Sequence, residues 1–281
     1  MADRGTDSAW DLIVTPWHLD EQVPAFPIPA TATRVPCPDL PAGSVAARMS
    51  RLHRAAFDAV TPAARPLVLS GDCPTTRAAV AALQRRHRDL AVLWLDAHGD
   101  FNTPAISTSG YLGGMALAML TGRTPGLFDD TLDLRPVPDT SVVLADARDL
   151  DPAERDALTV SHVRRVPADP AAVAAALDEL GPTPVYLHLD IDVIDGAQLP
   201  GARFPAGPGP SLTRIEDCLA AACATADIAA AYLACAWLPE HVDDRATRQT
   251  IGRLTAALGA NPVWPERATG SVLRTAPDGV R

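Results

Sequence analysis

The segment AVLWLD, residues 91–96, is apolar at its first five positions and ends on Asp96. Four further runs share this character: PLVLS (66–70), SVVLAD (141–146), VYLHLD (185–190) and IAAAYLACAW (228–237). These runs show little alternation of polar and apolar side chains, which is typical of strands that are covered on both faces. The sequence therefore predicts a mostly parallel sheet that lies inside the protein.

Six segments around these runs have the spacing of helices: residues 44–60, 75–90, 112–120, 170–180, 212–226 and 245–258. Because strands and helices alternate, the pattern predicts an α/β fold. No repeat and no Ser/Gly-rich linker divides the chain, so one domain over residues 1–281 is expected. Residues 261–281 are rich in Pro, Gly and charge and are predicted to be an irregular tail, with a partner-binding arm as the alternative.

Charge and composition limit the classes of function. The formal net charge of -10 argues against binding nucleic acid through a basic face. No apolar run is long enough to cross a bilayer and the first residues carry no signal-peptide core, so a cytoplasmic protein without membrane contact is expected. The five cysteines are scattered along the chain, and most are expected to be reduced, buried thiols.

Acidic residues follow four of the predicted strands at the point where each strand ends. They are Asp72 before Cys73, then Asp96, His98 and Asp100, then Asp149 and Asp151, and finally Asp190 and Asp192. Because the carboxyl ends of parallel strands share one edge of a sheet, we expect these side chains to converge. Carboxylates this close repel one another unless a cation compensates, and oxygen ligands with one or two imidazoles suit Mn²⁺. Taken singly, each aspartate could instead be a helix cap.

The motifs around these acids resemble the arginase, agmatinase and formimidoylglutamase family, the ureohydrolases. The resemblance rests on DAHGDFN (96–102), Ser109-Gly110 and LDIDVIDGAQLPG (189–201), in the family's order, and it spans roughly residues 67–258. It implies a three-layer α-β-α fold of the arginase type and hydrolysis of a guanidino C–N bond by water held between two Mn²⁺ ions. Relatives commonly assemble as trimers or hexamers, so the resemblance leaves a homo-oligomer open.

The same resemblance implies a set of metal ligands. Asp96 and Asp190 would bridge the two ions, His98 and Asp192 would complete one site, and Asp100 and Cys73 would complete the other. Asp100 would also be catalytic, because it is placed to pass a proton to the leaving amine. Cys73 stands where the family usually has His. It is therefore either a softer ligand or a small buried thiol that ligates nothing.

The substrate expectations also come from the resemblance. Asn102 and Ser109 match residues that meet the α-carboxylate, and Asp149, Asp151 and Glu154 match the region that meets the α-amino group. An amino acid with a guanidino group is therefore favoured over agmatine, although Asp149, Asp151 and Glu154 also fit a plain helix start.

Two family residues are missing from this chain. A proton-shuttling His aligns with Gly113, and a Glu that pairs with the guanidinium aligns with Ala236. Glu240 could replace that Glu only if the loop shifts. An N-hydroxyl group lowers the basicity of a guanidine, so Cys73, Gly113 and Ala236 together favour N-hydroxy-L-arginine, cleaved to ornithine and hydroxyurea. The replacement of the His ligand by Cys73 resembles hydroxyarginine hydrolases, and this resemblance implies a role in antibiotic biosynthesis. An ordinary arginase or guanidino-acid hydrolase that releases urea, and a non-catalytic binding or regulatory subunit, are the alternatives.

Two side chains near this edge have open interpretations. His188 lies two residues before Asp190 and so faces the same side of its strand. It is interpreted as a core histidine with its hydrogen bonds satisfied, or as a residue that supports the ligands from behind. Cys73 as a catalytic nucleophile is disfavoured, because the sequence shows no histidine paired with it.

Overall fold

The computed structural model of this chain describes residues 9–129 and 131–265. Its strands are β1 (Asp11–Thr15), β2 (Trp17–His18), β3 (Glu21–Gln22), β4 (Thr33–Arg34), β5 (Pro66–Ser70), β6 (Ala91–Asp96), β7 (Val142–Asp146), β8 (Arg164–Val166), β9 (Val185–Asp190) and β10 (Ile228–Ala234). Its helices are α1 (Val45–Val60), α2 (Thr76–Leu83), α3 (Ala116–Leu120), α4 (Pro152–Val160), α5 (Pro170–Glu179), α6 (Leu212–Thr225) and α7 (Arg245–Ala257).

Eight of these strands form one sheet in the order β4-β1-β5-β10-β9-β6-β7-β8. Every neighbouring pair in this sheet is parallel, which confirms the predicted mostly parallel sheet. The short strands β2 and β3 form a separate antiparallel pair. The five runs that the sequence identified as strands are the five central strands, and β5, β6 and β9 are buried at every position.

Helices cover both faces of the sheet. The core on one face contains side chains of α5, α6 and α7, and the core on the other face contains side chains of α1, α2, α3 and α4. This confirms the three-layer α-β-α arrangement. All five cysteines are free thiols, and Cys73, Cys218 and Cys235 are buried.

The helices begin where the local sequence favours a cap. The side chains of Ser44, Asp169 and Ser211 each accept a hydrogen bond from a backbone N–H of the first turn, at 2.9–3.2 Å.

Two predicted helices are shorter than expected. The helix predicted over residues 75–90 ends at Leu83, and that predicted over residues 112–120 is a single 3-10 turn, Gly113–Met115, followed by α3.

The edge strands β4 and β8, and β1 next to β4, are absent from the sequence prediction. Strand β4 has two exposed residues and β8 has three residues of which two are half-buried, so both lack the buried apolar run that marks the central strands. Residues 261–265 form neither helix nor strand, and the rest of the predicted tail, 266–281, lies outside the described residues. Within the described ranges, the longest helices are too short or too polar to span a membrane.

Candidate metal centre and active site

The strand order brings the predicted acidic residues to one place. Strands β5, β10, β9 and β6 are adjacent, and the last residue of β9, Asp190, pairs in register with Ala234 of β10, which in turn pairs with Ser70 of β5. A cavity of about 290 Å³ opens at this carboxyl edge. The predicted residues that line it are Cys73, His98, Asp100, Asn102, Ser109, Asp149, Asp151, Glu154, Asp190 and Asp192. Asp96 is buried next to His98.

Among the residues that the structure describes, two groups of side chains lie close enough to hold a metal ion, and they share Asp96. The ligand atoms of Asp96, His98 and Asp192 lie within 4.8 Å of one another, and so do those of Cys73, Asp96 and His188. The His98 Nδ1 atom is 3.0 Å from Asp192 Oδ2 and 3.5 Å from Asp96 Oδ1. Cys73 Sγ donates a hydrogen bond to Asp190 Oδ2 at 2.8 Å, so the sulfur joins the carboxylate cluster.

The carboxylates of this cluster cannot all ionise without compensation. Burial, followed by the neighbouring charges of Asp96 and Asp190, raises the pKa of Asp100 well above its usual value. Burial and then the charge of Asp192 do the same to the pKa of Asp190. Burial, with the charge of Asp96, raises the pKa of Asp192 to about 7. Divalent cations would remove this repulsion, since each supplies two positive charges at the centre of the cluster.

The cluster also holds a proton in the place where a cation would be favoured. Burial acts to lower the pKa of His98, but hydrogen bonds to Asp192 and Asp96 outweigh it and raise the pKa to about 12. Burial would raise the pKa of Asp96, and the hydrogen bonds and charge of His98 overcome that effect and lower it. A metal ion bound by these three side chains would displace this proton, because only neutral imidazole is a ligand.

Local backbone structure aims these side chains at the cluster. The carboxylate of Asp96 accepts a hydrogen bond from the N–H of His98 at 2.7 Å, and that of Asp190 accepts one from the N–H of Asp192 at 3.0 Å. Each Asp-x-ligand pair is thus fixed by a turn that starts at the strand end. Asp100 adopts a left-handed conformation with φ of 48°, and its Oδ2 atom is buried without a hydrogen-bond partner among the described residues.

The predicted substrate residues form one wall of the cavity. Asn102 is buried, its Nδ2 donates to Asp151 Oδ2 at 3.2 Å, and its Oδ1 has no hydrogen-bond partner in the described ranges. Asp151 precedes helix α4 but makes no side-chain cap, and the Asp149 side chain is 71% exposed. These two carboxylates are therefore available to a ligand.

Glu154 and Ser109 differ from the other predicted substrate residues in their position and hydrogen bonds. Glu154 lies in the first turn of α4, and its buried Oε1 accepts a hydrogen bond from the Phe101 N–H at 2.8 Å. This contact supports the loop that carries Asp100. Ser109 lies on the exposed rim, where its Oγ accepts a hydrogen bond from the Tyr111 N–H at 3.2 Å.

Comparison with known proteins agrees with this geometry. Residues 19–248, more than half of the chain, match the sequence model of the Arginase family. The chain belongs to the arginase family. This membership agrees with the fold and with the two candidate metal groups, since arginase-family proteins depend on a pair of metal ions.

Individual relatives cover different shares of the chain. An N(omega)-hydroxy-L-arginine amidinohydrolase from Streptomyces lavendulae is 36% identical over 136 residues, which are 48% of this chain and 47% of that protein. An arginase from Brevibacillus brevis is 32% identical over 167 residues, 55% of each chain. The chain thus spans about half the length of the curated relatives it matches. The crystal structure of an arginase from Bacillus cereus has a similar fold, with a TM-score of 0.75 at 22% identity over 89% of this chain and 98% of that one.

This member of the arginase family places an aromatic ring where a side chain at position 113 would be. A Cβ atom added at Gly113 would lie 2.1 Å from Cε1 of Tyr111. The Tyr111 hydroxyl is 3.0 Å from His18 Nε2, and His18 Nδ1 is 2.7 Å from the carbonyl oxygen of Gly71. Because that carbonyl only accepts, Nδ1 carries the proton and the tyrosine hydroxyl donates to Nε2. The glycine at position 113 thus leaves room for the Tyr111 ring, and His18 holds the hydroxyl of that ring in place.

The structure shows where the two residues considered for guanidine recognition, Ala236 and Glu240, lie. Ala236 lines the cavity and provides no carboxylate there. Glu240 is exposed and is not among the residues that line the cavity. The chain turns away after β10, where Trp237 pairs with Ala202 and the Leu238 N–H donates to the Gly201 carbonyl at 2.8 Å. The loop shift that would bring Glu240 into the site is therefore absent.

The sequence did not predict four residues of the cavity or the cluster, or predicted them only in part. His18, Tyr111 and Phe204 come from three distant segments and meet as an aromatic group, with ring centroids 5.2–6.1 Å apart. No local pattern links them. His188 is close to Cys73, which is the pairing that the sequence did not reveal; its spacing from Asp190 was the available signal.

We expect Gly113→Ala to destabilise the protein, because the new methyl group would overlap the Tyr111 ring. An overpacked site of this kind costs about 1–3 kcal/mol of the free energy of unfolding, and chemical denaturation measures this directly. Gly114→Ala is the matched control, since a Cβ atom there would meet only Asn102 Nδ2 at 4.0 Å. In a Tyr111→Ala background, Gly113→Ala should cost much less. An equal cost in both backgrounds would show that the two residues are not coupled.

Proposed function

We propose that this protein is a hydrolase that cleaves the guanidino C–N bond of an arginine-like amino acid, with N-hydroxy-L-arginine as the preferred substrate. Water adds to the guanidino carbon, the bond from that carbon to the side-chain nitrogen breaks, and the products are ornithine and hydroxyurea. The observation that carries the proposal is the cluster of Cys73, Asp96, His98, Asp100, Asp190 and Asp192 at a cavity open to a small ligand.

The residues present fit a pair of divalent ions. Asp96, His98 and Asp192 offer two carboxylates and one imidazole, a set that suits Mn²⁺. Asp100 Oδ2 is a buried oxygen without a hydrogen-bond partner in the described part of the chain, as expected for a metal ligand. When bound, two such ions supply Lewis acidity and lower the pKa of the attacking water.

Asp100 is the group proposed to move the proton. Its carboxylate is buried at the cavity, and the positive charge of two bound ions would favour the ionised form that can accept a proton. It would accept a proton from the attacking water and deliver it to the side-chain nitrogen as the C–N bond breaks. A carboxylate has two oxygens, so one could hold an ion while the other carries the proton.

The opposite wall suits the amino acid end of the substrate. The carboxylates of Asp149 and Asp151 are exposed to the cavity and would attract an α-ammonium group. Asn102 and Ser109 offer uncharged polar groups suited to an α-carboxylate. Agmatine lacks that carboxylate and would leave these groups without a partner.

The preference for the N-hydroxylated substrate rests on what the cavity lacks. Ala236 lies in the cavity wall and Glu240 lies outside it. Among the described residues, the one cavity carboxylate outside the metal cluster and the amino-acid end is Asp72, and its two oxygens already accept hydrogen bonds from the backbone N–H groups of Leu19 and Thr75. The cavity therefore offers little to pair with a guanidinium ion. A guanidinium ion remains charged at neutral pH, whereas an N-hydroxyguanidine is less basic and loses its proton more easily. The Streptomyces lavendulae relative acts on this kind of substrate by name.

The test is a direct comparison of substrates. The purified chain is loaded with Mn²⁺, and ornithine release is measured from N-hydroxy-L-arginine, L-arginine and agmatine at equal concentrations. We expect kcat/KM to be highest for N-hydroxy-L-arginine and agmatine to be the poorest substrate. Equal or faster release from arginine would instead assign an ordinary arginase, and no release from any substrate by protein that retains two metal ions would favour a non-catalytic binding subunit.

A further inference from the structure

His188 is held rigidly in the middle of the sheet beside the metal cluster. It is fully buried, and in the sheet it pairs in register with Trp94 of β6 and Tyr232 of β10. Its ring stacks on Trp94 with centroids 3.5 Å apart and planes within 2°, and on Tyr232 at 5.0 Å. The two flanking rings fix the plane of the imidazole, so its nitrogen lone pairs can point only along that plane.

One ring nitrogen of His188 is satisfied and the other is not. The Nδ1 atom lies 3.3 Å from Thr76 Oγ1, which also hydrogen-bonds the Tyr186 hydroxyl. The Nε2 atom is buried and has no hydrogen-bond partner among the described residues. This corrects the interpretation of His188 as a satisfied core histidine. Histidines that bind metals commonly donate their second N–H to an oxygen in this way, which leaves the other nitrogen free for the ion.

His188 belongs to a group of three buried residues whose ligand atoms lie close together. A ring nitrogen of His188, the Cys73 sulfur and a carboxylate oxygen of Asp96 all lie within 4.8 Å of one another. Trp94 strengthens the arrangement, since its Nε1 donates to Asp96 Oδ2 at 3.0 Å while its ring stacks on His188. We propose that His188 Nε2 is a metal ligand, and that Cys73, Asp96 and His188 hold one ion of the metal centre.

This inference rests on the metal centre of the proposed function and gives its two sites different chemistry. The Asp96, His98 and Asp192 group offers two oxygens and one nitrogen, whereas the Cys73, Asp96 and His188 group offers sulfur, oxygen and nitrogen. Thiolate and imidazole favour Zn²⁺ or Co²⁺ over Mn²⁺, while carboxylates suit Mn²⁺. The structure thus supports a mixed-metal centre in which the sulfur site takes the softer ion.

Cobalt titration of the metal-free protein tests this assignment without any activity measurement. A thiolate bound to Co²⁺ gives a charge-transfer band in the near ultraviolet, and Cys73→Ser should remove it. His188→Asn keeps a hydrogen-bonding group near Thr76 but removes Nε2. We expect it to weaken binding of the sulfur-bound cobalt at least about tenfold and to shift its visible bands.

His53→Asn is the matched control. His53 is also fully buried, and its Nε2 atom has no hydrogen-bond partner within residues 9–129 and 131–265, but it lies on α1 against Phe128, outside the metal groups. It should leave the cobalt band and affinity unchanged. X-ray absorption of the parent protein with one equivalent of Co²⁺ provides a measurement that needs no variant, and it should show both sulfur and imidazole around the ion.

Unchanged cobalt affinity and spectrum in folded His188→Asn, or a first cobalt coordinated by sulfur without imidazole, would overturn the assignment. The outcome is separate from the proposed function. If the parent protein shows the sulfur and imidazole ligands but cleaves no guanidino substrate, the metal site is supported and the proposed hydrolase function is contradicted. If the parent protein hydrolyses N-hydroxy-L-arginine while His188→Asn binds cobalt normally, the hydrolase function is supported and the ligand role of His188 is contradicted.

Discussion

Replacing Asp100 with asparagine is expected to lower kcat for the preferred substrate about a hundred- to ten-thousandfold, the usual contribution of a positioned acid-base group. The amide cannot accept and deliver the proton that the leaving nitrogen requires. Asparagine is the informative replacement, because it tolerates the left-handed backbone of Asp100, where φ is 48°. The variant should therefore fold, and steady-state kinetics with metal content and thermal unfolding measured on the same sample will separate chemistry from structure.

Asp178→Asn is the control for this experiment, since it makes the same change on the exposed side of α5 and should leave kcat unaltered. Loss of metal in parallel with activity in Asp100→Asn would identify a ligand role for the carboxylate. Loss of kcat with two ions still bound would identify the proton-transfer role. A rate within tenfold of the parent in a variant with full metal content would remove Asp100 from the mechanism.

Removal of metal is expected to make the stability of the protein fall as the pH rises. The folded-state pKa values of Asp192, about 7, and His98, about 12, exceed their unfolded values of 3.8 and 6.5. Groups with raised folded-state pKa values stabilise the fold below the unfolded pKa, and that stability is lost as the pH rises through the folded pKa. Between pH 6.5 and about 8.5 the metal-free protein should lose roughly 2 kcal/mol, or about 4–8 °C in the unfolding midpoint.

The pH range of this experiment lies above the range in which groups with lowered folded-state pKa values would cause the opposite trend in stability. Burial lowers the pKa values of His53 and His188, that of His188 to about 3, so their contribution is lost only as the pH falls below 6.5. Bound Mn²⁺ should reverse the trend, because metal competes with the protons of the cluster and binds more tightly at higher pH. Thermal unfolding with and without Mn²⁺ at both pH values measures this. Equal metal-induced shifts at both pH values would contradict a carboxylate-rich site that protons occupy in the metal-free state.

The central strands were predictable because burial on both faces leaves a continuous apolar run. PLVLS and VYLHLD match β5 and β9 residue for residue. Strands at the two edges were not predictable, since β4 pairs through two exposed residues and β8 contains two arginines. Their strand conformation comes from hydrogen bonds to a neighbouring strand, and the side-chain pattern carries little trace of it.

The acidic part of the site was also visible in the chain, because Asp-x-His-x-Asp and Asp-x-Asp are local spacings. The substrate wall was only partly predictable. Asp151 and Glu154 precede and begin α4, but Asp151 faces Asn102 while Glu154 supports the loop of Asp100. The same short motif thus divides between binding and support, and the division depends on how the helix packs against that loop.

The amino acid sequence by itself determined the α/β class, the buried sheet and the acidic strand ends, because hydrophobic runs and local spacings are written in neighbouring residues. Only the tertiary structure decided that Tyr111 occupies the space beside Gly113, that Glu240 stays outside the cavity and that His188 lies next to Cys73. These relations join residues that are two to more than one hundred positions apart. They depend on strand order, register and loop packing, which arise when the whole core assembles.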